Sequence, residues 1–301
     1  MAYPSRKRTS KSELGYKFIS LFERMPGNVY CPRFFILHHS VGCPYQCSYC
    51  FLQNTLRGNT EPRWYDNFDV METEVQRWLK ETTLPSLLNT GELADSFSVS
   101  TEYLKHVVPF FTAQEKHVIA FLTKGDTYPD ELKPHKTIRL GWSINAPEIA
   151  ARYEQGAPPA LNRLAAADRA KKAGFQVRIR IDPVIPIEGW EKYYTDFIKL
   201  LADIKPDFVT IRTLRAQSNL MIWARKGHAK DKPNPFADVG HLMLRDGDDH
   251  ANRINPELRL QVYQTLGKVL DECKIPWGLC KETTEVLTKL GKLNHMCNCL
   301  P

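Results

Sequence analysis

The sequence contains no run of apolar residues that approaches the roughly eighteen needed to cross a bilayer. Its first residues, MAYPSRKR, also lack the apolar stretch of a secretory signal peptide. We find no short internal repeat and no low-complexity segment. With 43% hydrophobic and 25% charged residues among 301, the composition is that of an ordinary globular protein. We therefore expect a cytoplasmic protein of one large or two small domains, with no membrane partner.

Acidic residues are fewer than basic ones, and the net charge of +7 is compatible with a polyanionic partner. Four basic residues lie near the start of the chain: Arg6, Lys7, Arg8 and Lys11. They form either an arm that contacts phosphates or a solvated tail. We expect the mobile tail, because chain termini are usually disordered.

Strand-like and helix-like segments alternate along the chain. The predicted strands are 34–37, 86–89, 117–122, 137–143, 176–181 and 207–211. The predicted helices are 14–25, 70–80, 100–111, 162–173, 193–203 and 256–273. Repeated strand–helix units imply an α/β fold whose parallel sheet curves into a partial or full barrel, with functional residues at the carboxyl ends of the strands. Segment 227–252, rich in Lys, Asp, Gly, His and Pro, is expected to be a long loop or lid.

Three of the eight cysteines, Cys43, Cys47 and Cys50, form the pattern C-x3-C-x2-C. Clustered cysteines fit a reducing compartment and metal binding better than a disulfide framework. Soft sulfur ligands select zinc or iron–sulfur clusters. Because a 4Fe–4S cluster takes one ligand per iron, three cysteines leave one iron open, whereas structural zinc prefers four ligands. The pattern favours a 4Fe–4S cluster, and the alternatives are a zinc knuckle or unpaired thiols.

With Tyr49 before its last cysteine, this loop resembles the cluster loop of radical S-adenosylmethionine (radical SAM) enzymes. Further segments are similar, in order and with matching gaps, to the spore photoproduct lyase group of that family: 43–58, 63–65, 142–146, 153–159, 171–174 and 182–190. The resemblance implies a partial (β/α) TIM-type barrel over 31–215. A basic N-terminal extension, 1–30, precedes it, and a helical C-terminal extension, 216–301, follows with a lid-like loop and a cysteine-containing tail.

The resemblance also implies a reaction. Such enzymes cleave S-adenosylmethionine at the cluster to a 5′-deoxyadenosyl radical, which abstracts hydrogen from a substrate, here a base or nucleotide of DNA. A reducing partner such as flavodoxin or ferredoxin is implied. Cys43, Cys47 and Cys50 are the implied cluster ligands. The implied cofactor-binding residues are Tyr49, Thr90, Gly91, Glu92, Lys124, Ser143 and Asn145. The residue chemistry agrees in part, because Glu92 can accept from an ammonium group and Lys124 can pair with a carboxylate.

Two departures from the lyase pattern alter the expected chemistry. Segment 90–96 contains no cysteine, although a hydrogen-donating cysteine is implied there, and Phe51 replaces the tyrosine that relays the radical. We therefore expect different chemistry after the first hydrogen abstraction. Cys280 is the candidate for the missing hydrogen donor, and Tyr49 and Cys280 are the candidate catalytic residues.

Two arginines, Arg178 and Arg180, lie two apart in a predicted strand and therefore face the same side. They bind a phosphate or carboxylate of substrate or cofactor, or they pair with acidic neighbours of the barrel. Arg212 and Arg215 close the next strand similarly. The candidate acidic partners are Glu148, Asp182 and Glu188.

A second cysteine group consists of Cys280, Cys297 and Cys299, with Cys273 and His295 near in sequence. It is interpreted as a second metal or cluster site, and the alternative is free thiols. Two other functions stay open at this point. One is a radical SAM enzyme that acts on a peptide or small metabolite, and the other is a non-catalytic iron–sulfur or zinc protein that binds nucleic acid.

Overall fold

The computed structural model describes residues 3–22, 27–226, 230–293 and 297–301. The strands are β1 (Ser5–Arg6), β2 (Ile19–Phe22), β3 (Val29–Tyr30), β4 (Phe34–Leu37), β5 (Ser40–Val41), β6 (Gln46–Cys47), β7 (Arg63–Tyr65), β8 (Leu87–Asn89), β9 (Val118–Thr123), β10 (Ile138–Ser143), β11 (Glu154–Gln155), β12 (Gln176–Val184), β13 (Phe208–Thr213), β14 (Arg215–Ala216), β15 (Met243–Arg245), β16 (Asn252–Ile254), β17 (Trp277–Leu279) and β18 (Glu282–Thr283). The helices are α1 (Leu52–Thr55), α2 (Phe68–Glu81), α3 (Tyr103–Thr112), α4 (Pro147–Tyr153), α5 (Ala160–Lys172), α6 (Trp190–Ile204), α7 (Ser218–Lys226), α8 (Pro235–Asp238), α9 (Pro256–Glu272) and α10 (Thr284–Lys289).

One eight-stranded sheet organises the chain, with the strand order β17-β13-β12-β10-β9-β8-β4-β2. From β4 to β17 the strands are parallel and follow chain order, and only β2 at the edge is antiparallel. Within the described part of the chain, the two edge strands do not pair with each other. The sheet is therefore open, and its seven parallel strands, from β4 to β17, all have their carboxyl ends at one rim.

Helices cover the outer face of this sheet with amphipathic surfaces. In α6 the side chains of Tyr194, Phe197, Ile198 and Leu201 recur at helical spacing and are all buried. Burial of each such large apolar side chain contributes roughly 1.5–3 kcal/mol. Gly174 follows α5 with a φ of +97°, the left-handed conformation expected just beyond a helix end.

Most predicted elements are confirmed, but the predicted helix 14–25 is wrong. Residues 19–22 form β2, which pairs antiparallel with β4, and residues 23–26 lie outside the described part. The apolar residues of this segment have helical spacing, yet the edge of β4 offers backbone partners that override local propensity. Phe18 and Ile19 are fully buried beside it.

The expected mobile N-terminal tail is also wrong for the described residues. β1 pairs in parallel with β7, and Arg6 and Arg8 both donate to the Tyr65 hydroxyl, at 3.2 and 3.1 Å. The guanidinium groups lie over the Tyr65 ring as well. Two of the four basic residues thus stabilise the fold rather than extending into solvent.

The main sheet extends beyond the predicted 31–215 unit at both ends. β2 comes from the N-terminal extension, and β17 comes from the C-terminal one. The predicted loop 227–252 contains α8 and β15, and its first residues, 227–229, lie outside the described part. Among the helices described, none is long and apolar enough to span a membrane.

Candidate active site

A cavity of about 410 Å³ opens at the carboxyl rim of the sheet. Its wall is built from residues that end or follow the parallel strands, as expected for such a fold. The cysteines in the wall are Cys31, Cys43, Cys47, Cys50, Cys280 and Cys299. The charged residues in the wall are Glu92, Asp95, Lys124, Arg180, Asp182, Arg212, Arg215 and Lys281.

The cluster loop, residues 43–50, brings its three cysteines to this wall. Gly42 precedes it with a φ of +84°, and a Cβ there would lie 2.6 Å from the carbonyl oxygens of Thr60 and Glu61, so only glycine fits. Within the loop, β6 pairs antiparallel with β11. None of these three cysteines is in a disulfide bond, and burial raises the pKa of each thiol. Metal loading therefore has to displace protons from them.

Tyr49 and Lys124 meet at one buried carboxylate, Glu154. The Tyr49 hydroxyl donates to Glu154 Oε1. Lys124 Nζ donates to the same oxygen at 2.7 Å, to the Tyr49 hydroxyl at 3.1 Å and to Ser143 Oγ at 2.9 Å. Three predicted cofactor-binding residues are thus joined in one network on the cavity wall.

Arg163 completes this network from α5. It forms an ion pair with Glu154 Oε2 at 2.5 Å, and it donates to the carbonyl oxygens of Ser143 and Pro158. Burial alone raises the pKa of Glu154, but the charges of Lys124 and Arg163 outweigh it and lower the pKa to about 2. Glu154 is therefore a carboxylate at neutral pH, although its side chain is fully buried.

Sequence reasoning did not identify Glu154 and Arg163 as site residues. Glu154 lies inside a segment that was matched to the family, between Tyr153 and Gln155. The available signal was only its place in that matched segment, 153–159. Its partner Arg163 lies in a different helix, and only the folded chain shows their contact.

Glu92 lies in the wall as predicted, and its carboxylate is 3.9 Å from Lys281 Nζ. Gly91 also lines the cavity, where a Cβ would lie 2.6 Å from Leu122 Cβ, so close packing against β9 requires glycine. Asp95 holds the neighbouring loop, because it accepts from the backbone N–H of Lys124 at 2.7 Å and from Thr123 Oγ1 at 2.9 Å.

Three predicted cofactor-binding residues do not reach the cavity wall. Thr90 Oγ1 contacts Ser96 Oγ at 2.7 Å inside the core. Asn145 Nδ2 donates to the Pro183 carbonyl oxygen at 2.8 Å. Arg178 points to the same interior side as Arg180 but is bound to carbonyl oxygens of segment 297–301. These three side chains bond to neighbouring segments and hold them in place next to the cavity.

Arg212 has one of the expected acidic partners, because it forms an ion pair with Asp182 at 2.6 Å. Arg215 contacts Asp249, which was not among the candidates. Arg180 is different, because its Nη2 donates to Cys299 Sγ at 3.3 Å. Cys280, the candidate hydrogen donor, is buried in the same wall. Phe51 lies there too, and its ring is 43% exposed.

No group of three or more His, Cys, Asp or Glu side chains converges on a single metal position in the described ranges. The predicted second metal at Cys280, Cys297 and Cys299 therefore has no support as a mononuclear site. The candidate ligand His295 lies outside the described residues.

Comparison with known proteins agrees with the family resemblance that these residues indicated. The family model described as spore photoproduct lyase matches residues 33–214. The spore photoproduct lyase of Bacillus subtilis (strain 168) is 28% identical over 176 residues, which cover 56% of this chain and 51% of that protein. The lyase of Geobacillus sp. (strain Y412MC61) is 27% identical, over 54% of this chain and 49% of that protein. The chain thus spans about half the length of these curated relatives.

Solved structures establish the fold. Spore photoproduct lyase complexed with dinucleoside spore photoproduct superposes with a TM-score of 0.71 at 20% identity, covering 81% of this chain and 75% of that chain. A lyase mutant with bound AdoMet and the same dinucleoside gives a TM-score of 0.70 at 20% identity, with the same coverage. Streptococcus suis SuiB bound to its precursor peptide SuiA gives 0.55 at 15% identity, covering 86% and 50%. The predicted partial (β/α) barrel of the radical SAM type is confirmed.

Proposed function

Because this chain belongs to the spore photoproduct lyase family, we propose that it is a lyase-type radical SAM enzyme that acts on a nucleic-acid base or a modified nucleotide. The observation that carries the proposal is a single cavity that contains both the three thiols of the cluster loop and the Lys124–Ser143 pair. The volume of about 410 Å³ lies in the range of small-molecule sites.

The cluster loop suits a 4Fe–4S cluster better than zinc. Its three thiols share one cavity wall. Structural zinc prefers four protein ligands, whereas a cubane cluster takes each thiolate on a different iron and leaves the fourth iron open. Once bound by Cys43, Cys47 and Cys50, the cluster would pass on an electron from flavodoxin or ferredoxin and cleave S-adenosylmethionine to a 5′-deoxyadenosyl radical.

The charged groups in the wall suit the two ends of an amino acid. Glu92 is placed to accept from the ammonium group of the methionine moiety. Lys124 lies in the same wall, and it would exchange one of its three hydrogen bonds, to Tyr49, Ser143 or Glu154, for one to the methionine carboxylate. Tyr49, held by Glu154, offers a ring face for the adenine. Arg180 also lies in the wall, and its positive charge faces the sulfur of Cys299.

Cys280 is the proposed hydrogen donor to the substrate radical. The stretch that carries the donor in the family pattern, residues 90–96, has no cysteine here. Cys280 follows β17 at the carboxyl rim and is buried in the cavity wall. Burial raises the pKa of Cys280, so it keeps the S–H bond that a hydrogen donor needs.

Anaerobic reconstitution with iron and sulfide tests the proposed function. After addition of dithionite and S-adenosylmethionine, we expect 5′-deoxyadenosine at one equivalent or more per cluster, detected by liquid chromatography and mass spectrometry. A deuterated nucleotide substrate should transfer its label to that product. An intact cluster that yields no 5′-deoxyadenosine would refute radical chemistry, and colourless, zinc-loaded protein would favour a non-catalytic metal protein.

A salt series tests the nucleic-acid substrate. α1 and α7 border the cavity through Asn54 and Leu220, and α7 ends in the exposed residues Arg225 and Lys226. We expect the logarithm of the oligonucleotide binding constant to fall linearly with the logarithm of the salt concentration, through counterion release. The double change Arg225→Gln and Lys226→Gln should lower the binding constant and reduce the magnitude of this slope by about two.

The matched control for this series is the double change Lys192→Gln and Lys199→Gln. Both lysines are exposed on α6, on the outer helical layer. This control should leave affinity and slope unchanged. Affinity that does not depend on salt, or that falls equally in both double variants, would argue for a peptide or small metabolite as the substrate.

A further inference from the structure

Segment 297–301, here called the tail segment, lies inside the open barrel. Arg178 Nη1 donates to the carbonyl oxygens of Asn298 at 3.1 Å and Leu300 at 2.9 Å. Asn298 Nδ2 donates in return to the Ile179 carbonyl oxygen of β12 at 3.2 Å. Hydrogen bonds from a charged guanidinium are stronger than those between neutral groups. The tail segment is thus fixed to the inward face of β12.

This insertion brings a second group of thiols to the cavity. Cys299 of the tail segment, Cys280 after β17 and Cys31 before β4 all lie in its wall. All three are buried, at 4–5% exposure. The cluster loop contributes to the same cavity, so any radical formed there shares one enclosed space with these thiols.

Cys299 and Cys280 differ in protonation although they lie in one wall. Arg180 Nη2 donates to Cys299 Sγ at 3.3 Å. The negative charge of either cysteine, when ionised, raises the pKa of Arg180. A hydrogen bond from Cys297 and the charge of Arg180 together outweigh the effect of burial and lower the pKa of Cys299 to about 7. Burial, together with the charge of Asp182, raises the pKa of Cys280 despite Arg212. At neutral pH one thiol is largely protonated and the other is substantially a thiolate.

We propose that Cys280 and Cys299 are a hydrogen-transfer pair, in which the tail segment supplies the thiolate that accepts the radical from Cys280. The inference rests on the proposed radical chemistry. In the first step the Cys280 S–H bond breaks, its hydrogen atom joins the carbon radical of the product, and Cys280 becomes a thiyl radical. In the second step that thiyl radical and the Cys299 thiolate share three electrons in a disulfide radical anion.

The pair then returns to its starting state in two balanced steps. One electron passes from the radical anion to a one-electron carrier of the iron–sulfur or flavin class, which leaves a Cys280–Cys299 disulfide. A small-molecule or protein dithiol then reduces the disulfide to two thiols and is itself oxidised. Arg180 compensates the negative charge of the thiolate and of the radical anion. The pair thereby replaces the cysteine absent from 90–96 and the tyrosine replaced by Phe51.

Disulfide mapping of the purified protein tests the pair without any cluster. With one equivalent of diamide, followed by alkylation and mass spectrometry, we expect a Cys280–Cys299 disulfide as the main product. The Cys31→Ser variant, which alters a third thiol of the same wall, should form the same bond. A Cys297–Cys299 bond, or a Cys280 that stays fully alkylatable, would overturn the proposal.

Arg180→Gln tests the thiolate. We expect iodoacetamide to alkylate Cys299 about fivefold more slowly at pH 7 in this variant, because a rise of one unit from a pKa of about 7 lowers the thiolate fraction from about one half to about one tenth. Lys289→Gln, on an exposed ion pair of α10, is the control. Circular dichroism checks that each variant is folded. Equal alkylation rates in Arg180→Gln and the parent would contradict the assigned contact.

A solvent-deuterium experiment tests the donor role. In D2O the thiols carry deuterium, and we expect 5′-deoxyadenosine formed without added substrate to contain it in the parent and in Cys31→Ser. Cys280→Ala should contain at least about tenfold less. Unchanged label in Cys280→Ala would refute the pair and the donor role of Cys280, while leaving the proposed cleavage of S-adenosylmethionine intact. Absence of 5′-deoxyadenosine from the parent would refute the proposed function, whatever disulfide is mapped.

Discussion

Cys50→Ala is expected to abolish both cluster binding and 5′-deoxyadenosine formation. In the proposed cluster each of the three thiolates would hold a different iron, so the loss of one sulfur would leave that iron without its protein ligand. Cys50 also ends the loop that β6 and β11 align, and its backbone N–H donates to the Cys47 carbonyl oxygen at 3.1 Å. Alanine keeps that backbone bond and removes only the sulfur. We expect iron per chain and visible absorption to fall to background after anaerobic reconstitution.

Cys273→Ala is the matched control for this substitution. Cys273 caps the end of α9 and is only partly buried. It does not belong to the cavity wall. This variant should keep the iron content, the spectrum and the product yield of the parent. A Cys50→Ala protein that retains iron and colour would show that Cys43, Cys47 and Cys50 are not the ligand set.

The parallel sheet was predictable because its strands are short apolar runs between amphipathic helices. The predicted strand 117–122 is shifted by one residue from β9, and 137–143 begins one residue before β10. Both strands are covered on two faces, so the local composition alone predicts that they are buried. β2 could not be predicted in this way. Its pairing with β4 is set by a partner elsewhere in the chain, and its own spacing of apolar residues is that of a helix.

The candidate site divides in the same manner. The cluster loop is contiguous in sequence, so its spacing and the family resemblance together predict Cys43, Cys47 and Cys50 as ligands. Glu154 and Arg163 contact across two elements, and Glu154 reaches Tyr49 from more than a hundred residues away. The insertion of segment 297–301 depends on Arg178, again at long range. A sequence motif shows only which side chains are near in sequence. The long-range contacts depend on the topology of the barrel, so they could not be predicted from the motif.

Phe51 illustrates a residue whose identity is informative before its position is known. Its ring lies in the cavity wall next to the cluster loop and is partly exposed. It lacks the O–H that a radical relay needs. Cys280 and Cys299 lie in the same wall, and the S–H bond of Cys280 is weak enough for that purpose. In the proposed pair, the loss of one relay and the presence of another are parts of a single difference from the lyase pattern.

Glu154→Gln is expected to destabilise the protein strongly and to loosen the site. The substitution leaves the charges of Lys124 and Arg163 buried without their carboxylate. Breaking a buried ion pair on one side typically costs about 3–5 kcal/mol. Urea denaturation at pH 7, followed by circular dichroism, measures this loss as a decrease in the free energy of unfolding. The reconstituted variant should also bind S-adenosylmethionine more weakly, because Tyr49 and Lys124 lose their common anchor.

The pH dependence of that loss identifies the carboxylate as its source. The pKa of Glu154 is lowered to about 2 in the folded protein, from an ordinary value of 4.5. A lowered folded pKa gives stability that is fully present above the unfolded value and is lost as the pH falls through the folded one. The difference between parent and Glu154→Gln should therefore be constant above pH 4.5 and shrink toward pH 2. Glu285→Gln, at an exposed i,i+4 pair with Lys289, should cost only about 0.3–0.5 kcal/mol. A Glu154→Gln loss no larger than this control, or one that does not diminish in acid, would mean that the buried network does not stabilise the site.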